Sequence, residues 1–188
     1  MGHVVVVGLM GVGKSTVGRL VADRLGLTFI DNDDLLTAHT GQSAEQIAAT
    51  HGLAELHRIE ADVLAKALDR PGSRVLAAAA SVVTDEASRA ALRKAQHVVW
   101  LRDDLAAIAA RIANSGQLHR PGFAPQTLRQ IERQRRPLFA AAATVTIDIV
   151  GDSPEAVADR IVAALDAERP SGPLGRAGGT PTAGNKLA

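Results

Sequence analysis

An α/β fold built on a parallel sheet is what this sequence predicts, and three observations predict it. Short β-branched runs alternate with longer stretches of helical periodicity along most of the chain. The first of those runs, Val4 to Val7, shows no polar alternation, as a strand covered on both faces requires. Directly after it comes Gly8-Leu9-Met10-Gly11-Val12-Gly13-Lys14-Ser15-Thr16 and then a helical pattern (Val17, Leu20, Val21, Leu25), which makes a strand–loop–helix unit.

Strands are expected at 3–8, 28–31, 74–78, 97–101 and 144–149. The intervening helices are expected at 14–26, 43–70 with a break near Gly52, 86–95, 103–114, 125–142 and 153–166. Ser43, Asp103 and Ser153 have the side chains of N-caps, and Pro154 follows the last at the first helical position. Residues 169–188, rich in Pro, Gly and Ser, lack the apolar surface to offset chain entropy, so a disordered tail is expected after a domain at 1–168.

Composition narrows the function. With 188 residues, 46% hydrophobic and 22% charged, the chain suits one globular domain. A net charge of +1 gives no argument for nucleic acid or a membrane surface as partner. The absence of cysteine removes disulfides, thiolate metal sites and a thiol nucleophile. The first strand begins at residue 3, so no signal peptide is expected, and no apolar run is long enough for a bilayer. A cytoplasmic, monomeric protein is expected.

The stretch Gly8 to Thr16 matches G-x-x-x-x-G-K-[ST], a phosphate-binding P-loop. Its glycines let successive backbone N–H groups face phosphate oxygens, and the helix that follows adds its positive end. Gly11, Val12, Gly13, Lys14, Ser15 and Thr16 are the nucleotide-contact candidates. Lys14 reaches the β/γ-phosphates and the Ser15 hydroxyl is placed for Mg²⁺, so ATP and Mg²⁺ are the expected cofactors.

Further motifs follow in order: Phe29-Ile30-Asp31-Asn32-Asp33, Thr40-Gly41, Arg111, Arg120-Pro121 and Arg135-Arg136-Pro137-Leu138-Phe139. Over residues 3–168 this order resembles the shikimate kinase family. The resemblance implies a P-loop kinase fold, a five-stranded parallel sheet of order 2-3-1-4-5 flanked by helices, a lid near 112–124 and a substrate-binding helical region near 33–60. It implies that Asp31 holds Mg²⁺ through water and that Asp33 takes the acceptor hydroxyls and assists deprotonation, where the bare residues also fit an acidic turn. It implies that Arg120 closes over the γ-phosphate, making Lys14, Asp33 and Arg120 the catalytic set. Arg111 and Pro154 match adenine contacts, although Arg111 fits a solvated helix residue as well, and Arg135 matches a carboxylate-binding arginine.

Two departures fall on the acceptor side. The family's carboxylate-binding arginine aligns with His57, not Arg58, and Glu60 keeps the family's acid in that register. A neutral imidazole lacks the bidentate fork of a guanidinium, so carboxylate binding weakens by ~10- to 150-fold unless Arg58 or Arg135 compensates. The family's three glycines after the third strand are replaced within Ala78-Ala79-Ala80-Ser81, whose Cβ atoms narrow the approach at Ala80. The expected acceptor is shikimate, and the alternative is a different cyclitol or polyol, neutral ones included. A degenerate nucleotide-binding regulator is the reading from another class.

Overall fold

The computed structural model describes residues 2–114 and 125–168. Five strands, β1 (Val4–Val7), β2 (Thr28–Asp31), β3 (Arg74–Ala77), β4 (His97–Arg102) and β5 (Val145–Asp148), form one parallel sheet in the order β2-β3-β1-β4-β5. The helices are α1 (Lys14–Leu25), α2 (Asn32–Thr40), α3 (Ala44–His51), α4 (Leu53–Leu68), α5 (Glu86–Leu92), α6 (Leu105–Asn114), α7 (Pro125–Ala142) and α8 (Pro154–Ala167), with a 3₁₀ turn at Val82–Thr84.

The strand order and the right-handed crossover rule dictate the layers. The chain leaves β1 toward β2 in one direction, and leaves β2, β3 and β4 in the other. Helix α1 thus lies on one face, where α8 packs on it, and the α2–α4, α5 and α6–α7 connections lie on the opposite face. Central β1 is covered on both sides, and its four valines are fully buried. Its loop alone turns to the α1 face while those of both neighbours turn away, which opens crevices beside the C-terminal end of β1. The P-loop sits at that switch point.

Two local features complete the frame. Trp100 of β4 stacks on Phe139 of α7, centroids 5.8 Å apart, anchoring the helix that carries Arg135 one turn earlier. A small satellite core of Leu36, Ala44, Ile47 and Leu56 ties α2, α3 and α4 together.

The expected break falls at Gly52, at φ +86°, between α3 and α4. Ser43 forms a full capping box with Gln46, and Ser153 accepts from the Ala156 N–H. Asp103 is corrected as an N-cap. Helix α6 begins at Leu105, so the residue before it is Asp104, whose carbonyl accepts from Ile108 N–H, while the Asp103 carboxylate turns to Arg111. Helix α2 opens the helical region that the resemblance implies near 33–60: the acidic run that also fits a turn is its first turn, with Asp31 as N-cap accepting from Asp33 N–H at 3.1 Å. The tail at 169–188 and most of the lid, 115–124 with Arg120, lie outside the described residues.

Candidate active site

The P-loop runs from the end of β1 into α1. Gly11 and Gly13 hold φ of +75° and +102°, where side chains are strained, and a Cβ on Gly11 would meet Ile112 Cγ1 at 2.6 Å. Gly13 caps α1 with no side-chain bond, so the first N–H groups of that helix remain for an anion. Val12 is buried in the core, leaving only its backbone for a ligand, whereas Ser15 and Thr16 are exposed on the first turn.

Lys14 folds back over the loop, and its Nζ donates to Gly8 O at 3.2 Å and Leu9 O at 3.0 Å. Burial pulls its pKa down to about 8, against the opposing pull of Asp31, Asp33 and Glu60 and with a smaller push from the Arg135 charge. Four groups distant in sequence thus act on one ammonium, and they define the site.

Helix phase decides which α4 residues join. Leu56 and Glu60, four apart, lie on the buried stripe; His57 beside them is half-buried; Arg58 points to solvent. The Arg58 guanidinium instead pairs with Glu55, through Nε at 2.9 Å and Nη2 at 2.7 Å, so the structure does not bring it to the acceptor side. His57 faces the Arg135 charge, and burial first and that charge second hold its pKa below the ordinary histidine value, which leaves the imidazole neutral at physiological pH.

Arg135 reaches from α7 to donate to Ala80 O at 3.0 Å. Next to it, the Ser81 hydroxyl donates to the Glu60 carboxylate, both residues being 5% exposed. Within the loop that replaces the family's glycines, Ser81 takes ordinary helical angles, φ −78° and ψ −26°. Sequence reasoning did not single out Ser81 as a site residue, nor Asn32. Asn32 is 2% exposed, between the two aspartates, and neither its amide nitrogen nor its oxygen has a partner. A charged-looking D-N-D run gives no sequence signal for that burial.

On the nucleotide side, Arg111 donates from Nε to Gly11 O at 2.9 Å and also pairs with Asp103, tying α6 to the P-loop. Pro154 stands exposed at the start of α8. Beyond Leu9, a cavity of about 410 Å³ opens between the ends of β4 and β5 and helices α6 and α7, lined among others by Trp100, Asp103, Ile108 and Val150. Among the described residues no helix is long and apolar enough to cross a membrane.

Comparison with known proteins agrees with this geometry. The shikimate kinase family model matches residues 10–166. A shikimate kinase of Mycobacterium tuberculosis is 38% identical over 172 residues, covering 89% of this chain and 95% of the relative. One of Symbiobacterium thermophilum is 37% identical over 149 residues, covering 77% and 85%. Among solved structures, shikimate kinase from Acinetobacter baumannii in complex with shikimate superposes with a TM-score of 0.82 at 27% identity, covering 90% of this chain and 95% of that one. A gluconokinase from Sinorhizobium meliloti, TM-score 0.59 at 19% identity over 89% and 97%, shares the fold alone. With the P-loop, the aspartates after β2 and the strand order all in family register, the chain belongs to the shikimate kinase family.

Proposed function

We propose that this protein transfers the γ-phosphoryl group of ATP to a hydroxyl of shikimate, with Lys14, Asp33 and Arg120 as catalytic residues. The observation that carries the reading is the arrangement around Lys14: one part-buried ammonium at the P-loop, carboxylates from β2, α2 and α4 acting on it, and the Arg135 cation beyond them.

The site fits the implied ligands. The cradle at Gly11 and Gly13 admits phosphate where side chains would strain the loop, and Lys14 is a desolvated cation that an anion would relieve. The Ser15 hydroxyl and Asp31 carboxylate are hard oxygen donors suited to Mg²⁺. No group of three or more His, Asp or Glu residues converges to hold a metal among the described residues, so water and phosphate oxygens would complete that shell. When bound, the ion neutralises phosphate charge. The cavity beyond Leu9 has room for the base and ribose.

The chain's own groups divide the work. Asp33, exposed at the start of α2, accepts the proton of the attacking hydroxyl. That oxygen bonds to the γ-phosphorus as the bond to the β–γ bridging oxygen breaks, and ADP leaves. Lys14 and Arg120 meet the charge that spreads over the phosphoryl oxygens. Arg135 meets the acceptor carboxylate. The protein works as a cytoplasmic monomer in aromatic amino acid biosynthesis. The neutral His57 favours, as a second reading, a less anionic polyol as acceptor.

Asp33→Asn tests the assignment. It should abolish shikimate phosphorylation while Mg-ADP still raises Tm as in wild type. Retained turnover would remove Asp33 from the mechanism.

A further inference from the structure

We infer that Asp103 is a positioning residue for the nucleotide: its carboxylate holds the Arg111 guanidinium against the P-loop, with the exposed side of that cation toward the path of the base. The inference rests on the function proposed above, and it concerns a residue outside the P-loop itself.

The chain of contacts runs from the end of β4 to the loop. Asp103 follows Arg102, the last residue of β4, and its side chain is 3% exposed. One carboxylate oxygen accepts from the Asp104 N–H at 2.8 Å, and the other accepts from Arg111 Nη2. Arg111, one turn before the end of α6, gives Nε to Gly11 O at 2.9 Å. Both donors belong to one rigid plane, so the two acceptors together fix the place and the tilt of the guanidinium.

The Gly11 carbonyl would not hold this side chain by itself. A bond to a neutral acceptor is weak beside the rotamer entropy that an ordered arginine gives up. A bond between charged groups is roughly twice as strong as a neutral one, and the Asp103 carboxylate has little water to turn to instead.

The placement matters to the nucleotide. Asp103 also lines the cavity beyond Leu9, so Arg111 spans from the wall of that cavity to Gly11. A nucleotide with its phosphates on the loop and its base in the cavity passes the exposed side of this guanidinium, a plane suited to stacking on aromatic rings. A cation ordered in advance spares binding the entropy of ordering it. The loop has a separate support in Ile112, which packs closely on Gly11, so bare phosphates do not depend on Arg111. Asp103 therefore acts through Arg111, and its effect falls on a ligand that carries a base.

The test is a double-mutant cycle on the full chain with Asp103→Asn, Arg111→Ala and the pair. Calorimetry gives the Kd for Mg-ADP and for Mg-pyrophosphate, and assays give kcat and both KM values. Asparagine keeps the size and one acceptor but removes the charge. Asp103→Asn should raise the Mg-ADP Kd and the ATP KM by ~3- to 10-fold, part of what one charge-assisted contact supplies. The pyrophosphate Kd, the shikimate KM and kcat should stay within about twofold. With Arg111→Ala present, Asp103→Asn should add nothing. Arg111→Lys leaves Asp103 in place and keeps a cation without the planar fork. It should weaken Mg-ADP by the same ~3- to 10-fold, which keeps the inference testable where Asp103 variants fold poorly.

An unchanged Mg-ADP Kd in Asp103→Asn or in Arg111→Lys, or the same rise with Arg111→Ala present, overturns the inference. So does an equal weakening of ADP and pyrophosphate, which marks Asp103 as a support of the loop only. Wild-type protein that binds no Mg-ADP overturns the proposed function itself and is told apart by that control.

Discussion

Lys14 carries its charge at a cost that nucleotide binding should remove. Its pKa falls from 10.5 to about 8 on folding, chiefly through burial. The unfolded chain thus binds more protons between pH 8 and 10.5, so this group makes stability rise with pH across that window. Below pH 8 the penalty is full, roughly 3 kcal/mol at most. A phosphate beside the ammonium favours the charged form and returns the pKa toward its ordinary value. At pH 8.5 the free protein holds Lys14 only partly protonated and the nucleotide complex holds it protonated, so binding should take up a fraction of a proton. Calorimetry of Mg-ADP binding at pH 8.5, in buffers of different ionisation enthalpy, reads that uptake directly. Lys14→Met should abolish the uptake and most of the nucleotide-induced rise in Tm. In the unliganded protein it trades the charge penalty against lost bonds to Gly8 O and Leu9 O, worth ~1 kcal/mol each, so its Tm should rise by ~2–4 °C. Buffer-independent enthalpies, or an uptake that persists in Lys14→Met, would refute the assignment of Lys14 as the phosphate cation.

Three further outcomes are expected. His57→Arg should lower the KM for shikimate by ~10-fold, and it should lower the unliganded Tm by placing a second cation beside Arg135, with shikimate restoring it. Arg135→Ala should raise the shikimate KM by at least ~10-fold, whereas Arg58→Ala should leave kinetics and Tm unchanged, because Arg58 is solvent-facing and paired with Glu55; parallel assays of the two separate them. Gly11→Ala should eliminate nucleotide binding in a calorimetric titration, since φ +75° and the 2.6 Å approach to Ile112 force the loop to move.

The nucleotide side was legible in the sequence because its chemistry is backbone chemistry encoded locally: glycine spacing, an adjoining strand and a helix start. The break at Gly52 followed from local signals, whereas the strand order came from the family resemblance alone. Helix α2 was harder to read. Of its residues only Asn32 and Leu36 are buried, so the apolar stripe that announces a helix is missing, and the acidic start reads as a turn. The acceptor wall was legible only in outline. That His57 half-faces Arg135 while Arg58 turns out depends on the rotational phase of α4, which Leu56, Glu60 and Val63 set through packing. The Ser81–Glu60 bond joins residues 21 apart and exists only after α4 docks against the loop following β3. The loop that replaces the family's glycines ends on Ser81 in helical angles open to any residue and offers its carbonyl at Ala80 to Arg135, contacts that no local sequence signal announces.

The most direct test of the account is product analysis with the unmodified protein. Incubated with Mg-ATP and shikimate, it should yield one phosphorylated shikimate per ADP formed, seen by mass spectrometry and phosphorus NMR. A neutral cyclitol of the same size should be turned over at least ~10-fold less efficiently, because it forfeits the charge-assisted contact of Arg135. Equal or better phosphorylation of the neutral cyclitol, or ADP formed with shikimate unchanged, would contradict it.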